Sequence, residues 1–281
     1  MSLTLMYITN QPEVARVAEQ NGVDWIFIDL EIMGKTERQG HLDTVISRHN
    51  FQDISRVRAV LKHSKLLVRV NPIFRGSRQE IDEVINRGAD IVMLPYYKTT
   101  DEVKRLIEFV HGRAKVCLLC ETKEAVECMP DVLKLDGIDF IHIGLNDLHL
   151  SYGQSFLFEP LANGLVEKII NQIREQDIVY GFGGIARIGE GKLPAEKILA
   201  EHKRLDSSLI ILSRSFCNLG NVKMMSAYQT QLFKEGVWKV RAYEQHLKYV
   251  SSDWLEKNRR SLVLDVESIT TEIQTQKGIL L

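Results

Sequence analysis

Cysteine is scarce in this 281-residue chain, with four in all. Cys117 and Cys120 form a CxxC, but it lies inside a short apolar run that reads as a strand. Side chains three apart on a strand point to opposite faces, which excludes a zinc knuckle and a redox pair and leaves small buried hydrophobes. A surplus of one charge is also missing: 36 Lys and Arg stand against 37 Asp and Glu, a formal net charge of −1. That balance gives no electrostatic footprint for nucleic acid or an anionic membrane surface. No apolar run approaches the ~20 residues that span a bilayer. The N-terminus shows no basic stretch followed by a long apolar core, so no secretory signal is read and a cytoplasmic location is expected. No glycine-rich GxGxxG turn follows the first apolar run, which argues against an open dinucleotide-binding sheet. Fixed repeats and low-complexity segments are absent as well.

What is present is alternation. Apolar runs at 3–8, 25–30, 65–70, 90–95, 115–120, 140–144, 178–182 and 209–212 read as buried parallel strands. Helical patterns follow them at 11–20, 51–62, 77–86, 100–110, 122–134 (interrupted near Pro130), 161–176 and 194–205. Strand and helix in steady alternation predict an α/β fold, a closed (β/α)8 TIM barrel over 1–220. Residues 221–250 read as long helix and the remainder as a charged, polar tail. Together, 221–281 form an extended helical C-terminus expected to pack on the barrel or on a neighbouring subunit, with its Arg and Lys residues solvated or facing that neighbour.

In a barrel, the strand exits converge on one mouth. Here the exits present Asp29 and Glu31, then Arg69, Pro95, Glu121, Asp147 and the Gly183-Gly184 pair. Glu121 and Asp147 are one βα unit apart, and neighbouring parallel strands lie roughly 4.8 Å apart. Two carboxylates so placed can share one divalent cation, and oxygen-only ligation favours Mg2+ or Mn2+ over zinc. Open coordination positions suit water and a chelating 2-oxo acid, whose carbonyl the ion would polarise toward an enolate. Arg69 can pair with the same oxygens as charge develops; an ion pair to Asp29 or Glu31 is the competing reading. Asp29 and Glu31 are candidates for direct catalysis or for supporting contacts. Backbone around Gly144 and Asn146 can hold a carboxylate. His41 or Lys35, on the loop after the second strand, can supply a base. His142 reads as a satisfied buried histidine, His149 as a marginal ligand contact, and Met224, Met225 and Trp238 as packing.

The runs GVDWIFIDLE (22–31), VRVNP (68–72), GADIVMLPYYKTTDEV (88–103), ETKEAVE (121–127) and IHIGLNDLHLSYG (141–153) together resemble the HpcH/HpaI aldolase and citrate lyase family, over roughly residues 5–217. The resemblance implies a divalent-metal-dependent carbon–carbon lyase of class II aldolase type, acting through a metal-stabilised pyruvate enolate. It implies that Glu121 and Asp147 bind the metal, that Arg69 contacts pyruvate or its enolate, and that the backbone around Asn146 and Asp147 holds the substrate carboxylate. It further implies a homo-oligomer, trimer or hexamer. A citrate-lyase-like or synthase-type enzyme and a non-catalytic metal- and carboxylate-binding barrel are the alternatives. Two positions depart from the family pattern: Ile32 and Asn86 stand where pyruvate aldolases carry the histidine and aspartate of a proton-transfer dyad.

Overall fold

A computed structural model describes residues 2–34, 48–217, 225–276 and 278. Eight parallel strands close a barrel in chain order: β1 Thr4–Ile8, β2 Trp25–Asp29, β3 Lys65–Arg69, β4 Ile91–Leu94, β5 Lys115–Cys120, β6 Phe140–Ile143, β7 Val179–Ile185 and β8 Leu209–Leu212. The eighth strand pairs with the first, Thr4 opposite Leu209, so no strand edge remains open.

The apolar runs are nearly continuous because both faces are buried. Met6, Trp25, Phe27, Leu67, Ile91, Met93, Cys117, Leu119 and Leu209 fill the barrel interior. The alternate residues, among them Leu5, Ile26, Ile28, Val68, Val92, Leu118, Ile141 and Ile143, form a second core beneath the helices. Cys117 belongs to the inner set and Cys120 to the outer, as three-residue spacing on a strand requires.

The same alternation aims the mouth. Trp25 and Phe27 point inward, so Asp29 continues their line; Leu67 is followed by Arg69, Leu119 by Glu121, and His142 by Gly144.

Helices α1 Pro12–Gln20, α2 Phe51–Arg58, α3 Ser77–Asn86, α4 Thr100–Val110, α5 Lys123–Val132, α6 Leu145–Ser151, α7 Glu159–Ala162, α8 Leu165–Ile173 and α9 Ala195–Arg204 surround the barrel. Pro12 opens α1, where its missing N–H costs nothing. Capping boxes start α2 (Asn50 with Asp53) and α4 (Thr99 with Glu102). Helix α5 runs through Pro130 to Val132 without the interruption expected there; Pro130 forgoes one bond, to the Val126 carbonyl, and the helix ends two residues later.

After β8, α10 Ala227–His246 and α11 Ser252–Gln276 complete the described chain. The segment read as a polar tail is thus a 25-residue helix. Its bases are not solvated throughout. Arg259 pairs with Glu167 at 2.7 Å, and Lys197 on α9 reaches Asp265 at 2.5 Å. Arg241 on α10 bonds the Leu3 and Gly22 carbonyls and Asp24. Ion pairs this exposed contribute about 0–1 kcal/mol each. Burial of Leu262 and Val266 contributes more, roughly 1.5–3 kcal/mol per side chain. The charge pattern concealed the helix because its apolar stripe is only one residue wide per turn.

Among the described residues, no helix is long and apolar enough to cross a membrane.

Candidate active site

Strands β2 and β3 bring the first group together. Asp29 and Arg69 are register partners. Arg69 donates from Nε to Asp29 Oδ1 and from Nη2 to Asp29 Oδ2, both at 2.8 Å. Glu31 Oε2 lies 3.4 Å from Arg69 Nε. The guanidinium also stands over the Phe27 ring, 5.4 Å from its centroid. Asp29 and Glu31 are essentially buried, while Arg69 keeps a little exposure toward the mouth. Burial alone disfavours the Arg69 cation. The fields of Asp29, Glu31 and Glu121 outweigh it and hold the guanidinium above its ordinary value. Arg69 therefore stays charged at any working pH. The sequence alternatives of ion pair and substrate contact are compatible: Asp29 engages two N–H donors and leaves the others of the fork.

Strands β5 and β6 supply the second group. Glu121 follows the last residue of β5 and is 3% exposed. Its Oε1 accepts the Tyr96 N–H at 3.0 Å. Tyr96 has φ 49°, a left-handed conformation strained for a tyrosine, which turns its amide toward the carboxylate. Gly144 ends β6 and precedes α6. A Cβ there would lie 2.8 Å from Glu121 Oε2, so glycine is what lets the carboxylate lie across the β6 exit. Asp147 stands in the first turn of α6 and is 4% exposed; Asn146 beside it is half-buried. The donor chemistry here is all oxygen, and the glycine cradle fits a divalent cation held by Glu121 and Asp147. Among the described residues, no group of three or more His, Cys, Asp or Glu is arranged as a metal cage. A cation on this pair would thus keep most of its positions for water or substrate.

The sequence model of the HpcH/HpaI aldolase/citrate lyase family matches residues 3–159, a span that includes Asp29, Glu31, Arg69, Glu121 and Asp147. The chain belongs to this family. It is an enzyme of the aldolase or lyase kind. A 2-keto-3-deoxy-L-rhamnonate aldolase of Escherichia coli O17:K52:H18 is 25% identical over 205 residues, 62% of this chain and 71% of that one. The crystal structure of an HpcH/HpaI aldolase from Desulfitobacterium hafniense DCB-2 superposes with TM-score 0.58 at 16% identity, covering 89% of this chain and 95% of that one. Citrate synthase SbnG shares the fold with TM-score 0.56 at 18% identity, covering 75% of this chain and 85% of that one.

Against this family background the departures acquire geometry. Ile32 is 61% exposed, an apolar side chain at the rim where pyruvate aldolases carry histidine. Another imidazole, His49, meets the backbone of β2: its Nδ1 accepts the Asp29 N–H at 3.0 Å. An amide N–H can only donate, so the neutral ring carries its proton on Nε2. His41 and Lys35 lie outside the described residues.

His142 is buried inside the barrel, and its Nε2 donates to the Gly183 carbonyl at 3.1 Å. Its Nδ1 has no hydrogen-bond partner among the described residues, so the ring is only half satisfied there. His149 turns back on its own helix, with Nδ1 against the Leu145 carbonyl at 3.1 Å.

Sequence reasoning missed His49, the amide of Tyr96, and the pair Asn71 and Glu80. Asn71 reads as a mere strand stop before Pro72. The available signal was its position: a side-chain amide two residues beyond the arginine that ends β3.

Proposed function

We propose that the chain is a divalent-cation-dependent carbon–carbon lyase that acts on a 2-oxo acid by forming an enolate opposite Arg69. One observation carries the reading: two buried carboxylates at neighbouring strand exits, Glu121 and Asp147, share the mouth with an arginine fixed by Asp29. A bound Mg2+ or Mn2+ would supply Lewis acidity, drawing electron density from the keto oxygen. Glu121 and Asp147 would hold it, with Glu121 aimed by the Tyr96 amide.

The protein's own groups do the rest. Arg69 presents the N–H donors that Asp29 leaves to the developing oxyanion, preorganised by the two-point pairing and by Phe27. Because Arg69 cannot lose its proton, it stabilises charge and transfers none. The backbone at Asn146 and Asp147 opens α6, where N–H groups suit a substrate carboxylate. His49, with Nδ1 committed to the Asp29 N–H, carries its proton at Nε2 and can offer it as a hydrogen-bond donor without giving it up.

The test is exchange of the pyruvate methyl protons in D2O, followed by proton NMR with Mg2+ or Mn2+ added. Exchange that needs the cation and disappears in Glu121→Gln supports the reading. Cation-dependent exchange that survives Glu121→Gln removes Glu121 from the ligand set. Absence of exchange with every 2-oxo acid tried would leave a binding barrel.

A further inference from the structure

Strands β2 and β3 pair through Asp29 and Arg69, and the Leu30 N–H still reaches the Arg69 carbonyl at 2.9 Å. There the backbone ladder ends. The Val70 N–H turns away to Met93 on β4. The Glu31 N–H goes to Asp29 Oδ1 at 3.2 Å, and the two amides after it, those of Ile32 and Met33, are taken by another side chain: Asn71 Oδ1 accepts both, at 3.0 and 3.1 Å. Two amide N–H groups can only donate, so the Asn71 oxygen must face them and its NH2 must face the other way.

The other way lies Glu80, on α3. Asn71 Nδ2 donates to Glu80 Oε1 at 2.6 Å, and the Asn71 backbone N–H to Oε2 at 3.3 Å. Glu80 is 7% exposed, and burial pushes its carboxyl up while the two Asn71 bonds pull it down. Its described side-chain partners are these two Asn71 groups; no described base pairs with it. A buried acid without a cation is costly to keep. What it secures is the orientation of one amide.

Packing does not explain how residues 32 and 33 are held, since Ile32 is 61% and Met33 42% exposed. The hydrogen bonds their amides donate to Asn71 Oδ1 hold them, and these residues directly follow Glu31. Gly34 comes next at φ 69°, where the chain turns.

We propose that Glu80 and Asn71 are positioning residues for the β2 exit: Glu80 fixes the Asn71 amide, and Asn71 holds the 32–33 backbone so that Asp29 and Glu31 stay registered against Arg69. The inference rests on the lyase reading for its catalytic consequence but not for the clamp itself. A small displacement of groups that orient a reacting site costs rate without removing binding.

The experiment combines two readouts on Asn71→Ala, Asn71→Asp and the double variant Asn71→Asp with Glu80→Gln. Amide hydrogen exchange of the segment 30–34 reads the clamp. Cation-dependent proton exchange of pyruvate at saturating substrate, alongside Mn2+ affinity, reads its consequence. Asn71→Ala should speed amide exchange and lower the saturating rate, each roughly tenfold or more, with Mn2+ affinity within about twofold of the parent. Asn71→Asp sets a second carboxylate against Glu80 and should lose at least as much. The double variant restores a donor at position 80 facing an acceptor at 71, and should recover most of the rate.

An unchanged amide exchange in Asn71→Ala overturns the clamp. Loss of rate in strict proportion to Mn2+ affinity, or a double variant no better than Asn71→Asp, overturns the positioning role. If Asn71→Asp does not fold, Asn71→Ala alone decides. If the parent exchanges no 2-oxo acid, the lyase reading fails, and the amide readout still decides the clamp.

Discussion

Arg69 and Asp29 face each other across the β2–β3 ladder as register partners joined by two parallel N–H···O bonds of 2.8 Å. That geometry needs a planar fork and cannot be reproduced by an ammonium. Arg69→Lys keeps the charge and loses the second bond. Under the proposed reaction its saturating rate of pyruvate proton exchange should fall by about a hundredfold, in the range seen on removing a preorganised oxyanion donor. Asp29→Asn removes the carboxylate that makes both 2.8 Å bonds to the buried arginine, leaving Glu31 and Glu121 near it, and should cost stability, about 3 kcal/mol in a denaturant titration. A Lys variant with undiminished rate would show that charge alone suffices at this position.

Glu121→Gln and Asp147→Asn test the ligand pair separately from catalysis. Each removes one anionic oxygen donor from a buried site while nearly preserving shape. Mn2+ affinity, measured by calorimetry or by the paramagnetic signal of the free ion, should drop roughly tenfold to a hundredfold in each. Folding stability should change little without metal, because each substitution nearly preserves shape and keeps a polar group in place of the carboxylate. Full Mn2+ affinity in both variants would place the cation elsewhere.

The barrel was legible in the sequence because burial on both faces leaves strands of uniform apolar character, and eight of them recur at βα spacing. The mouth was legible for the same reason: strand alternation carries Phe27 to Asp29, Leu67 to Arg69 and Leu119 to Glu121. What stayed hidden depends on contacts between segments. Nothing in VRVNP shows that Asn71 takes two amides from residues 32 and 33, since that bond exists only once β2 and β3 are side by side. The strained Tyr96 follows Pro95 without any glycine to announce a left-handed turn. Helix α11 was concealed by its polar outer face; Leu262, Val266, Ile269 and Ile273 make a stripe only one residue wide against a charged background.

Gly144 offers a test of the cradle that leaves both carboxylates in place. Its φ of −84° is open to any residue, so Gly144→Ala introduces no backbone strain. The new methyl would meet Glu121 Oε2 at 2.8 Å, Glu121 Cβ at 3.0 Å and Leu119 Cδ1 at 3.1 Å. The carboxylate cannot swing away cheaply, because Oε1 is held by the Tyr96 amide and the residue is buried. Mn2+ affinity should fall about tenfold, as for other groups that orient a ligand. Overpacking should cost about 1–3 kcal/mol, partly offset by the reduced freedom of the unfolded chain. Unaltered Mn2+ binding would mean that Glu121 does not bear on the cation.

His142 and His202 predict a pH dependence of stability that is separate from the mouth carboxylates. Burial lowers His142 from 6.5 to about 4. His202 is stacked on Phe182 with ring centroids 3.9 Å apart, and burial followed by the field of His142 lowers it from 6.5 to about 3. Both values are depressed in the fold, so the neutral rings are the native form. The unfolded chain takes up protons near 6.5 that the fold refuses until about 4 and about 3. Stability is therefore intact above 6.5 and is lost as pH falls below it, by about 2 kcal/mol per imidazole between pH 6.5 and 5. Native carboxylates add to the loss only closer to pH 4. The denaturant midpoint should accordingly decrease from pH 7.5 to pH 5. His142→Phe, which removes one titrating ring and fills the same space, should flatten that decrease by about half. A variant whose midpoint falls as steeply as that of the parent would show that His142 takes up its proton in the folded barrel at an ordinary pH.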